Sequence, residues 1–324
     1  MANLQTSYVG LTLRNPLIVS SSGLADSIEK IKNIDKAGAG AVVLKSLFEE
    51  QINAEAGKLM EDNSYPEAAD YIQNYTKSNK VDEYFKLIEE AKKETSIPIF
   101  ASVNCVSGTD WIDFSKKVEA AGADGLEINL FILPVDASKS SVYESQYFDL
   151  VRKIRESIRI PIILKISSFF TNIIYMVNQF YQLGVNAVVL FNRMYEPDIN
   201  IEDLSLSSAE VFSSPADLRN TLRWVSLVSD SQKDIQISAS TGVHDSSAAI
   251  KVLLAGAQTV QLCSTLYKNG VDYLGTVISE MEAWMDEKGF DSIEDYRGKL
   301  NYRSHKNPRM WERSQFMRYF SNKD

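Results

Sequence analysis

Apolar residues along this chain fall in short continuous runs rather than in strict alternation. Four segments share one phrase, a small-residue turn followed by an apolar run that ends in a polar group: AGAGAVVLKS (37–46), AGADGLEINL (121–130), LGVNAVVLFN (183–192) and AGAQTVQLCS (255–264). Three more lie between them, SIPIFASVN (96–104), RIPIILKIS (159–167) and DIQISAST (234–241), and PLIVSSSG (16–23) precedes them all. A continuous apolar run suits a parallel strand buried on both faces. The pattern predicts eight strands near 17–21, 41–45, 98–103, 125–129, 161–166, 187–191, 235–239 and 258–262. Helical-length segments separate them. The expected fold is an α/β (β/α)8 barrel with long post-strand insertions, formed as one domain over 1–324 with a C-terminal extension from about 297.

Connections interrupt this regularity at 47–78, at 131–144 and at 193–216. Insertions this long after barrel strands tend to be functional. The first is acidic and carries Tyr65, Tyr71 and Tyr75; it is placed to cover the mouth of the barrel, or to form a surface helix pair. The opening YVGLTLRNP reads as a hairpin plugging the amino-terminal end. The tail 297–324 is basic and aromatic, and docking onto the acidic barrel or a neighbouring subunit suits it better than a nucleic-acid patch.

Composition narrows the chemistry. A chain of 324 residues with a net charge of −9 argues against general nucleic-acid binding. No apolar run is long enough to span a membrane and the start MANLQTSYVG is polar, so a cytoplasmic protein is expected. Two cysteines, Cys105 and Cys263, make neither a disulfide framework nor a metal cluster, and with only His244 and His305 a histidine-rich metal site is not expected. A Ser–His catalytic pair would have to use His244, and no neighbouring residue supports one.

In this fold, chemistry sits at the carboxyl ends of the strands. Those ends carry Ser20, Ser21, Ser22 and Gly23; Lys45 and Ser46; Asn104; Asn129; Lys165; Asn192; Ser240, Thr241 and Gly242; and Cys263, Ser264 and Thr265. Small, hydroxyl-bearing residues after strands 7 and 8 suit a phosphate, although Ser, Thr and Gly are also ordinary turn residues. Lys165, flanked by apolar residues in IILKIS, fits three roles: a Schiff-base lysine, a structural ion pair, or a cation facing an electron-rich cofactor ring. Lys45 poses the same question. With three asparagines to meet an amide-rich ring, the set suits bound FMN better than an aldolase.

These segments resemble the dihydroorotate dehydrogenase family. GLTLRNPLIVSSSG is similar to its first-strand signature and VVLKS to its Lys-Ser segment. EINL is similar to the start of its Asn-Leu-Ser-Cys-Pro-Asn motif, and ILKIS to its flavin-contacting lysine strand. TGV and QLCSTLYKNG are similar to its Gly-Gly-Ile and Gln-Val-Gly-Thr-Ala segments. The resemblance implies an FMN barrel in which Ser20 to Gly23, Ser46, Asn129, Lys165, Thr241, Gly242, Ser264 and Thr265 meet FMN, while Lys45, Asn129 and Asn192 lie near a small planar substrate such as dihydroorotate. It also implies hydride transfer to FMN in pyrimidine biosynthesis, and a homodimer of the soluble kind whose electron acceptor the sequence does not name. The pattern breaks at the catalytic base: Ile132 stands where the family has Cys or Ser, and Pro134 replaces an asparagine. Ser138 and Ser140 are the substitute bases expected here, with Ser141, Tyr143 and Cys105 behind them. Two further readings stay open, a flavin-binding barrel without catalysis and a Schiff-base lyase using Lys165.

Overall fold

The computed structural model describes residues 2–48, 69–104, 110–136 and 142–314. Eight parallel strands form a closed ring: β1 (Leu17–Val19), β2 (Ala41–Val43), β3 (Ile99–Asn104), β4 (Gly125–Asn129), β5 (Ile162–Ile166), β6 (Ala187–Leu190), β7 (Gln236–Ser240) and β8 (Thr259–Leu262). Each pairs with its sequence neighbours, and β8 closes the ring on β1 through Gln261 opposite Ile18. Helices α1 (Ile28–Lys36), α2 (Ala69–Glu94), α3 (Asp110–Ala120), α4 (Tyr143–Ser157), α5 (Ile173–Gln182), α6 (Leu218–Ser231) and α7 (Ser246–Ala255) cross between strands; α8 (Ser264–Asn269) and α9 (Tyr273–Lys288) follow β8. This is the (β/α)8 barrel that the repeated phrase predicts.

The runs stay apolar because both faces of each strand are covered. Leu126, Ile128, Ile162, Leu164 and Val188 have no exposure and pack against the helix layer. The inward face differs from end to end. Its lower part is apolar, with Ile18, Ala41, Val43, Phe100, Ile163, Ala187 and Val189 in one cluster. The hairpin Thr6–Tyr8/Leu11–Leu13 plugs this end, and the Tyr8 ring meets Phe100 edge-on at 6.0 Å. Toward the carboxyl ends the inward positions become polar: Ser20, Ser102, Glu127, Lys165, Ser238, Ser240 and Gln261 are all buried. Period-two alternation along each strand brings these residues into the barrel.

Two connections differ from expectation. The connection after β6 is not a bare loop, because Pro197–Asn200 and Ser205–Ser208 pair antiparallel, with Ile199 opposite Leu206. The helix before β3 starts at Ala69 and so takes up the last part of the acidic insertion at 47–78. Its tyrosine Tyr65 lies outside the described residues, as do Cys105, Ser138, Ser140 and Ser141, and no side-chain description covers Tyr71 and Tyr75. The first residues of the tail lie along the outer helices: Gly298 N donates to Leu253 O, Leu300 N to Leu254 O, and Arg303 Nε sits 3.1 Å from Asp230 Oδ1. Among the described residues, no helix is long and apolar enough to cross a membrane, and no group of three His, Cys, Asp or Glu is arranged to hold a metal ion.

Candidate active site

A cavity of about 630 Å³ opens at the carboxyl ends of β1, β5, β6, β7 and β8. Of the residues that the sequence nominates, it brings together Ser20, Ser21, Ser22, Gly23, Lys165, Asn192, Ser240, Thr241, Gly242, Cys263 and Ser264. The remaining ones sit beside it or away from it. Ser46 and Asn129 are buried next to its Ser21 wall: Ser21 Oγ and Ser46 Oγ are 2.9 Å apart, and Asn129 Nδ2 donates to Ser46 Oγ at 2.9 Å. Asn104 is half-buried opposite Asn129 in the strand register. Thr265 is buried, its hydroxyl donating to His244 O at 2.8 Å. Lys45 is exposed, because β2 ends at Val43, and it lines a separate cavity of about 480 Å³ between α1 and α2.

Lys165 forms the floor. It is 6% exposed, yet its charge is well provided for. Nζ donates to Ser20 Oγ at 2.9 Å and Gln261 Oε1 at 3.2 Å, and lies 3.7 Å from Glu127 Oε1. Gln261 in turn donates to Glu127 Oε2 at 2.6 Å. A buried ammonium needs such partners, since an isolated one is prohibitively costly to desolvate. Neither Glu127 nor Gln261 figures among the sequence candidates. The available signal is a charged residue in the middle of an apolar strand run, GLEIN, on the same face as Asn129.

The far end of the cavity is lined by small residues and hydroxyls. Thr241 and Gly242 both have positive φ, 76° and 82°, so the chain after β7 turns sharply where it lines the cavity, and the Gly242 N–H donates to Ser213 Oγ at 3.4 Å. A β-branched residue in that conformation is uncommon, and the Thr241 hydroxyl anchors it by donating to Phe191 O at 2.9 Å. Ser213, arriving from the connection after β6, joins this end: its N donates to Ser264 Oγ at 3.0 Å, and its Oγ lies 3.1 Å from both Ser264 Oγ and His244 Nε2. A Ser–His contact therefore exists where the neighbouring sequence gave no support for one. Burial, with the nearby Lys268, holds the His244 imidazole below its ordinary pKa. Arg193 pins the returning arm, reaching Glu210 O at 2.8 Å, Val211 O at 3.1 Å and Asp217 Oδ2 at 3.3 Å. Burial pushes the Cys263 thiol up, with Lys165 and Ser22 opposing, so it is a weak nucleophile on this wall.

The donor set fits an elongated ligand. A phosphate suits the amides and hydroxyls at one end, and a planar polar ring suits the ammonium and serines at the other. The buried Asn129 Oδ1 has no hydrogen-bond partner among the described residues, which leaves an acceptor beside the Ser21 wall. The base position is different in kind. Ile132 packs against the hydrophobic core while its N–H donates to Tyr147 Oη at 2.8 Å, and Tyr143 Oη accepts from Asp136 N at 3.0 Å.

Comparisons with known proteins converge on one family. The family model described as dihydroorotate dehydrogenase matches residues 3–285. The catalytic subunit of dihydroorotate dehydrogenase B (NAD(+)) from Thermoplasma acidophilum is 27% identical over 312 residues, covering 92% of this chain and 99% of its own. The corresponding subunit from Thermoplasma volcanium is 28% identical, covering 92% and 98%. Dihydroorotate dehydrogenase A (fumarate) from Lactococcus lactis subsp. lactis is 23% identical over 320 residues, covering 92% and 99%. Matched along most of its length, with a lysine-floored cavity at the strand ends, the chain belongs to the dihydroorotate dehydrogenase family of flavin-dependent oxidoreductases.

Proposed function

We propose that this protein binds FMN in the 630 Å³ cavity and oxidises a small planar ring of the dihydroorotate type. The observation that carries the reading is the pairing, in one cavity, of a buried ammonium at Lys165 with a hydroxyl- and amide-lined end at Ser240 to Gly242 and Ser264. When bound, FMN supplies the hydride acceptor. The chain supplies the rest. Backbone amides around Gly242 and the hydroxyls of Ser213 and Ser264 would hold the phosphate, and Lys165, Ser20 and the 21–23 turn would meet the ring. Asn129 and Asn192 would orient the substrate from the strand ends. Lys45 is the further substrate contact that the family resemblance implies, and its exposure means that its side chain has to swing in to serve.

Oxidation of a dihydropyrimidine also needs a base for the proton on the adjacent carbon. Ile132 has no atom that can accept one. We assign that role to Ser138 or Ser140 on the same connection. A positioned base contributes roughly 10²–10⁴-fold, so a weak substitute predicts slow turnover of dihydroorotate. Cytoplasmic location and a homodimer complete the proposal. The second is supported by the hairpin after β6, whose Ile199, Ile201, Leu204 and Leu206 are 65–88% exposed, a patch that an isolated soluble chain tends to avoid.

The test is the absorbance spectrum of the purified protein, before and after anaerobic addition of dihydroorotate. A flavin spectrum that bleaches supports the whole reading. A flavin that stays oxidised keeps the cofactor and moves the substrate to another reduced ring. A colourless protein that takes up no FMN overturns the proposal.

A further inference from the structure

The cavity wall at β5 carries a charge pair in which only one member meets the cavity. Lys165 lines it; Glu127, with no exposure at all, lies behind. Gln261 joins the two, accepting from Lys165 Nζ at 3.2 Å through Oε1 and donating to Glu127 Oε2 at 2.6 Å through Nε2. The other carboxylate oxygen, Oε1, has no hydrogen-bond partner among the described residues and lies 3.7 Å from Nζ. A fully buried carboxylate with one oxygen unsatisfied is costly to keep. A neutral residue of the same shape could hold Gln261 equally well, so what distinguishes Glu127 is its charge. In a low-dielectric interior that charge acts over several ångströms.

We infer that Glu127 is a positioning residue that sets the reduction potential of a flavin in this cavity, by offsetting the Lys165 charge from behind the wall. This rests on the flavin reading above. Two-electron reduction with uptake of one proton leaves a flavin ring with a net negative charge, which Lys165 stabilises and Glu127 disfavours. Their relative depth makes the balance favourable to reduction while limiting it. Gln261 holds the carboxylate and the ammonium in register.

The experiment is a dye-referenced reductive titration of the FMN-loaded full-length protein, with xanthine and xanthine oxidase supplying the electrons. Glu127→Gln removes the charge and keeps the shape. It should raise the equilibrium constant for two-electron reduction tenfold or more, a positive shift of about 30 mV or greater. Glu127→Asp keeps the charge but draws it back by one methylene, and should fall between wild type and Glu127→Gln. Should Glu127→Gln fail to fold, a smaller positive shift in Glu127→Asp carries the test alone. Asp149→Asn, at an exposed carboxylate on α4, should leave the potential where it was. Flavin-loaded variants whose potential is unchanged or moves negative would overturn the role of Glu127 and leave the flavin reading intact. A wild-type protein that takes up no FMN overturns both.

Discussion

A Cβ placed on Gly242 would lie 2.1 Å from the backbone nitrogen of Leu218, the first residue of α6. The turn after β7 is therefore packed directly against a helix start, with no room for a side chain and with φ at +82°. Gly242→Ala must push α6 away or unwind the turn. Overpacking of this kind costs about 1–3 kcal/mol, and the left-handed backbone adds about 1–2 kcal/mol for any L residue. The variant should lose stability in urea unfolding and hold FMN at least tenfold more weakly by equilibrium dialysis. Wild-type FMN affinity in a folded Gly242→Ala protein would remove this turn from the phosphate site.

Lys165 donates to Ser20 and Gln261, which line the cavity, and pairs with Glu127 behind its wall. Lys165→Ala deletes the cation and leaves Glu127 buried without its counter-charge. Breaking a buried pair from one side costs about 3–5 kcal/mol. Replacing both members by neutral groups of similar size, Lys165→Met with Glu127→Gln, should recover most of that loss in flavin-free protein. Neither variant should recover flavin retention, because the ammonium is gone in both. If the double variant is no more stable than Lys165→Ala, then the charge of Glu127 is not the source of the loss.

Ile132 offers a gain-of-function test. Its side chain is half-buried against the core and its N–H is held by Tyr147, so the backbone should keep its course when the side chain changes. Ile132→Cys should cost about 1–2 kcal/mol, as other large-to-small substitutions at partly buried sites do. If dihydroorotate is the substrate and the base is what limits the rate, stopped-flow bleaching of the flavin by dihydroorotate should accelerate, by up to about 10²–10⁴-fold. Unchanged bleaching would point to a different reduced ring as the natural substrate.

The barrel was legible because its strands are buried on both faces, and a continuous apolar run is a strong local signal; Gly125–Asn129 has the limits that the run 125–129 predicts. The hairpin after β6 was not, since its residues are exposed and its Pro, Asp and Glu read as loop. The site divides the same way. Lys165 and the serines of β1 could be nominated from strand ends alone. Glu127 and Gln261 could not, because what matters about them is a contact across the barrel, between β4 and β8, that exists only once the ring closes. Lys45 marks where strand parity stops being informative: it lies two residues beyond Val43 and so has inward parity, but the strand has already ended and its side chain is exposed. Ser213 and His244 meet from connections 31 positions apart, a pairing that no local spacing encodes.

The surroundings of His244, rather than its contact with Ser213, predict an acid-sensitive flavin-free protein. Desolvation first, and the positive charge of Lys268 second, hold the His244 pKa in the folded chain below its ordinary value of 6.5. The unfolded chain therefore binds the proton more readily. By linkage, the stability associated with neutral His244 is fully present above about pH 6.5 and is lost as the pH falls below that value toward the folded pKa. Urea midpoints of the flavin-free protein should decline over this window, and His244→Asn should flatten the decline. A phosphate seated against Ser213 and Ser264 changes the sign of the local field. Its negative charge favours imidazolium, so saturating FMN should reduce the decline in wild-type protein, whereas riboflavin, which has the ring without the phosphate, should not. Equal effects of FMN and riboflavin would mean that the phosphate lies elsewhere than beside His244.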